Sequence, residues 1–101
     1  MSMKNRSSAS ERVRASREIT IVNELGLHAR PAAEFVHAAN TFRSDIWLLT
    51  ARGKFSALSL LDVMRANLDR GAVATLEAIG PDAEEAVERL DKLVRGLRDL
   101  P

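Results

Sequence analysis

The run Gly26-Leu27-His28-Ala29-Arg30-Pro31-Ala32 gathers, at short spacing, residue types that phosphoryl chemistry uses. Gly26 lets the backbone turn sharply. Pro31 suits a first helical turn, where a missing N–H costs little. His28 then falls at or near the N-cap of a helix, with the amides of Ala29 and Arg30 free beyond it. Histidine caps poorly beside Ser, Thr, Asp or Asn, and a local rule broken at one point hints at function. Helix N-termini bind phosphate through free amides and the helix dipole. Arg30 adds a planar guanidinium able to pair with phosphate oxygens, and a neutral imidazole is a competent nucleophile near pH 7. His28 is thus a candidate phosphoryl acceptor and Arg30 a candidate stabiliser of the anion. Taken alone, the same residues also fit an exposed histidine at a loop end beside an ordinary arginine.

The elements around this run alternate. Ile19 to Val22 reads as a β-branched strand, broken by Asn23 to Gly26. Ala32, Ala33, Phe35, Val36 and Ala39 set a helical period from Ala29 to about Thr41. Asp45 to Thr50 is strand-like, Arg52-Gly53 is a turn, and Lys54 to Ser56 a short return strand. A second helix spans Ser59 to about Leu68 and ends at Gly71. Val73 to Ile79 alternates as a half-buried strand. From Asp82 to Leu97, the residues Ala83, Ala86, Val87, Leu90, Leu93, Val94 and Leu97 form one apolar helical stripe, with acids at its start and bases at its end. The order β-α-β-β-α-β-α in so short a chain predicts an α+β two-layer fold. A single antiparallel or mixed sheet of four strands carries the helices on one face.

Composition removes several classes. The chain has 101 residues, a net charge of +1 and no cysteine, so disulfides, thiolate metal sites and thiol chemistry are out. No stretch approaches the ~18 to 20 apolar residues of a membrane span, and no apolar core of a signal peptide opens the chain. The near-zero charge and four aromatics argue against a nucleic-acid binder. Residues 1–18 hold five basic and two acidic side chains with five serines, and read as a flexible basic tail ahead of a domain at 19–101. His37 lies nine residues after His28 and faces the other way on a helix, so the two cannot share a metal.

The stretch Leu25 to Ala33, with His28, Arg30 and Pro31, resembles the active-site signature of the HPr family of bacterial phosphotransferase-system phosphocarriers. The likeness runs through about residues 18–98 and includes a second segment, Ser59-Leu60-Leu61-Asp62-Val63-Met64. The resemblance implies an open-faced β-sandwich of four strands and three helices. It implies that His28 carries the phosphoryl group as a pros-phosphohistidine, stabilised by Arg30, without cofactor or metal. The group would come from Enzyme I, itself charged by phosphoenolpyruvate, and pass to an EIIA-type acceptor in the cytoplasm. Such a protein is a phosphoryl carrier and not an enzyme.

Ser59 has two readings. Ser-x-x-Asp before an apolar run resembles a capping box, so Ser59 caps the second helix. The resemblance also places it on the family's phosphorylatable serine, with HPr kinase/phosphorylase as the implied partner. Leu58 stands where many members have a basic residue, which counts against that regulation. A helix of this size cannot bury all of Leu58, Leu60, Leu61, Val63 and Met64, and exposed apolar clusters mark partner surfaces. The resemblance implies docking through Leu60, Leu61 and Met64, and Leu27 beside His28 is assigned to the same surface. The alternative function is a regulatory docking module of the family's nitrogen-related branch, which signals its phosphorylation state to partner proteins. By resemblance to the two branches, Leu25 before Gly26, the Ile46-Trp47 strand and the Leu58-to-Met64 helix lean that way, Pro31 towards the sugar branch.

Overall fold

The computed structural model describes residues 13–99. Seven elements follow in the order β1 (Val13–Thr20), α1 (Ala29–Ala39), β2 (Asp45–Thr50), β3 (Gly53–Ser56), α2 (Leu60–Ala66), β4 (Val73–Gly80) and α3 (Ala83–Arg95). The strands form one antiparallel sheet in the order β1-β4-β2-β3. This is the α+β two-layer fold that the pattern predicts, in the open-faced form that the resemblance implies, with the three helices over one face. Ile19, Ile46, Leu48, Ala74, Leu76 and Ala78 point inwards and are buried with Phe35, Val63, Leu90 and Val94 of the helices.

The first strand starts earlier than its composition suggests. Residues 13–18, assigned to the tail above, lie in β1, which pairs along its whole length with β4 from Val13↔Gly80 to Thr20↔Val73. The rest of that tail, residues 1–12, lies outside the described residues. The backbone ladder does not need large side chains, and Arg17 finds an acid where the pattern offered no reason for a basic residue. Its Nη1 donates to Asp91 Oδ2 of α3 at 2.9 Å, while Arg95 Nε donates to Oδ1 at 3.1 Å. Asp91 is 5% exposed. Burial opposes its ionisation, but the bonds from Arg17 and Arg95 outweigh that and hold its carboxyl below the ordinary carboxylate value.

A stability consequence follows. Asp91→Asn should lower unfolding free energy by about 2 kcal/mol at pH 7 through loss of charge-assisted bonds. Because the folded pKa lies below the unfolded one, this contribution is complete above the ordinary value and fades as pH falls through the folded one. Denaturation curves of wild type and variant should converge as pH is taken down from about 4; an undiminished gap in strong acid would exclude this account. Asp82, which accepts from Arg43 N and Ser44 Oγ, and Asp99 are lowered too, so the variant keeps part of the acid limb.

One end of α2 corrects the sequence expectation and the other, the Ser59 cap, agrees with it. α2 stops at Ala66, and Asn67 closes it in the left-handed region, φ 53°, before Gly71 is reached. Asn residues tolerate this conformation because their short amide bonds locally. At its start Ser59 is the N-cap and accepts from the Asp62 amide at 3.2 Å. The carboxylate of Asp62 does not return to Ser59; it accepts from the Ser56 amide at 3.0 Å, so the reciprocal bond of the capping box ties α2 to β3.

Candidate functional site

The path from β1 to α1 is built by backbone pairing. Past Thr20 the chain bonds to the segment before β4: Ile21 N donates to Ala72 O, and Gly71 N to Ile21 O. It then turns tightly, Gly26 N donating to Asn23 O, and Leu27 N donates to Leu68 O at 2.8 Å. Gly26 sits at φ +71°, pressed on the backbone of Leu68 and Asp69. The exit of α2 therefore fixes where α1 can begin.

His28 is the N-cap of α1, in extended backbone conformation. Its carbonyl accepts from Ala32 N at 2.9 Å, but its imidazole caps nothing and is 41% exposed. The ring is held for some purpose other than closing the helix. No acid occupies the first turn, Pro31 brings no N–H, and the amides of Ala29 and Arg30 precede the first intrahelical bonds. Any anion at His28 meets the positive end of the α1 dipole.

Beside His28 lies an open hollow of about 580 Å³, lined by His28, Arg30, Pro31 and Glu34 of α1, and by Lys92, Gly96 and Arg98 at the end of α3. Arg30 thus shares the hollow with His28, joined by two bases that the sequence reading did not single out. Lys92 and Arg98 served there only as charges complementing a helix end; their proximity to His28 arises from the packing of α3 on α1. Asp99 was also missed. Its Oδ1 accepts from Asn23 Nδ2 at 2.9 Å, its Oδ2 from Leu25 N at 3.0 Å, and Oδ1 lies 3.6 Å from His28 Nε2. The bond from Asn23, above all, holds the Asp99 carboxyl below the ordinary carboxylate value. No sequence signal links residue 99 to residue 28.

The remaining candidates divide. Leu60, Leu61 and Met64 are exposed on α2, Leu61 at 70%, while Val63 between them is buried. Leu58 is half-buried against the core. Leu27, assigned above to the same docking surface, is only 5% exposed and belongs to the core, because its backbone bond to Leu68 turns the side chain inwards. Ser59 caps α2 at the end away from Leu68, outside the hollow. His37 is exposed in the last turn of α1, at the opposite end from His28. Among the described residues no cluster of His, Asp or Glu is arranged to hold a metal ion, and no helix is long and apolar enough to cross a membrane.

Comparison with known proteins gives consistent results. A family model described as the PTS HPr component phosphorylation site matches residues 15–96. The phosphocarrier protein HPr of Vibrio cholerae is 46% identical over 79 residues, covering 77% of this chain and 92% of that protein. Among solved structures, HPr-C-His from Thermoanaerobacter tengcongensis is 41% identical with a TM-score of 0.78, covering 80% of this chain and 91% of that one. The phosphocarrier protein HPr from Bacillus anthracis is 33% identical with a TM-score of 0.77, covering 80% and 96%.

Proposed function

Because the chain belongs to the HPr family of phosphocarriers of the phosphotransferase system, we propose that it accepts a phosphoryl group on His28 from Enzyme I and passes it to an EIIA-type protein in the cytoplasm. Members of this family carry phosphoryl groups and are not themselves catalysts. The observation that carries the reading is an imidazole left free at a helix N-cap, above unpaired amides and beside Arg30. The protein supplies the nucleophile and a cradle for the dianion; the partner supplies the other half of the reaction. Arg30, Lys92 and Arg98 raise the local positive potential, and the helix dipole adds to it. The test is intact-mass analysis after incubation with Enzyme I, magnesium and phosphoenolpyruvate. One acid-labile phosphoryl adduct is expected; none, with a demonstrably active Enzyme I, would overturn the assignment.

Leu60, Leu61 and Met64 are the contact surface in this reading. α2 leads directly into Leu68, which is bonded to Leu27 next to His28, so a partner seated on α2 stands over the imidazole. Leu61→Asp places a charge where a partner must be dry. It should slow phosphorylation by Enzyme I about tenfold or more, with little change in stability, since Leu61 is already in water. An unchanged rate at limiting Enzyme I would remove α2 from the interface. Ser59 serves as a cap whose hydroxyl is engaged by Asp62, and its modification by a serine kinase is not part of the proposal.

A further inference from the structure

We infer that Asp99 is a positioning residue for His28, holding a proton on Nε2 so that Nδ1 presents the lone pair that takes the phosphoryl group. The inference rests on the phosphocarrier reading and adds to it an element that the active-site motif does not contain. Asp99 lies far along the chain, yet its carboxylate is fixed at both oxygens. Oδ1 accepts from Asn23 Nδ2 and Oδ2 from Leu25 N, and the segment is anchored by buried Leu97. Asn23 is itself buried, and its amide is oriented by a second bond, Nδ2 to Gly26 O at 2.8 Å. The anion is therefore aimed before any partner arrives. Its Oδ1 stands 3.6 Å from His28 Nε2, beyond a hydrogen bond and within ion-pair range of an imidazolium.

The charge of Asp99 opposes its surroundings. Arg30 of α1, Lys92 of α3 and Arg98 line the hollow beside His28 and bring positive charge to it. Glu34 is the carboxylate lining the hollow, and it makes no hydrogen bond or ion pair with the imidazole. Among the described residues Asp99 alone places a negative oxygen against a ring nitrogen, and it does so at Nε2. A neutral imidazole has one N–H, and the partner of one nitrogen decides which atom is left as nucleophile.

The transfer then balances as follows. The Nδ1 lone pair forms the bond to phosphorus while the bond to the donor's leaving atom breaks, its electron pair departing with the donor. The Nε2 proton stays, and the phosphorylated ring carries positive charge opposite Asp99. On the onward step the N–P bond breaks and its pair returns to Nδ1. The leaving group is a neutral imidazole and not an imidazolate, which favours departure.

Asp99→Asn keeps the shape and removes the charge. Nitrogen-15 chemical shifts of the His28 ring against pH read both tautomer and protonation, with no partner protein required. In the variant the ratio of Nε2–H to Nδ1–H should fall about threefold, the size expected for a solvent-accessible ion contact. Phosphorylation by phosphoramidate should lose its preference for Nδ1. Exchange protection of the Leu25 amide monitors whether the loop stays anchored. Identical tautomer ratios in the two proteins would overturn the proposal. So would a ring change seen only when Leu25 protection is lost, because Asp99 would then be merely structural. Absence of the Enzyme I adduct in wild type is a separate result and counts against the carrier reading itself.

Discussion

His28→Ala should take up no acid-labile phosphoryl group from Enzyme I and should keep wild-type stability. Both halves follow from the placement of the residue. The imidazole is the nucleophile in the proposed transfer, so its removal leaves the cradle with nothing to form the N–P bond; the expected loss is complete. Stability is spared because the side chain caps no amide and is 41% exposed. The backbone bond from Ala32 N to the carbonyl at position 28 survives the change. An alanine N-cap is poor, yet the histidine it replaces makes no capping bond, so the cost should stay within about 0.5 kcal/mol. Intact mass and a urea curve on one preparation check the two halves. An adduct on the variant at wild-type yield would move the site elsewhere. Ser59 and His37 are then told apart by acid, which cleaves a phosphoramidate and spares a phosphoserine.

Gly26→Ala should cost about 3 to 5 kcal/mol, and its transfer rate should fall with it. Two penalties combine at this position. The backbone lies at φ +71°, where a β-carbon is disfavoured by about 1 to 2 kcal/mol. That carbon would also sit 2.7 Å from Leu68 O and 2.8 Å from Asp69 Cα, against backbone that cannot swing aside. Relief requires parting the two segments, which breaks the bond from Leu27 N to Leu68 O. The same movement tilts the entry to α1 and carries His28 away from its amides and Asp99. A urea denaturation midpoint close to that of wild type would mean the loop relaxes in a way this packing does not allow.

The local parts of the site were legible in the chain. Gly26, His28, Arg30 and Pro31 are neighbours in sequence, and their types report a turn, a nucleophile, a guanidinium and a helix start without any tertiary information. The alternation of β4 and the stripe of α3 are equally local, and both elements stand within a few residues of where their periods put them. What stayed hidden depends on contacts between distant segments. β1 begins at Val13 because β4 offers a ladder and Asp91 a partner for Arg17, neither visible in a serine-rich, basic stretch. Asp99 reaches His28 only because α3 returns its C-terminal end to the start of α1. Leu27 differs from the expectation for the same reason: it is the pairing of its backbone with distant Leu68 that sends its side chain inwards.

The uncovered side of the sheet has a practical consequence. Trp47 lies there, across from Glu77 and Ser56, with the Lys54 ammonium 4.4 Å from the ring centroid. It is the only tryptophan in the chain, which has no tyrosine. The intrinsic ultraviolet emission of the molecule thus originates from a single ring on the side facing away from the helices. That emission registers separation of the strands and loss of the ammonium from the ring. In the proposed transfer the phosphoryl group and a partner on α2 would act on the opposite layer, so following them optically calls for a dye attached on the helical side.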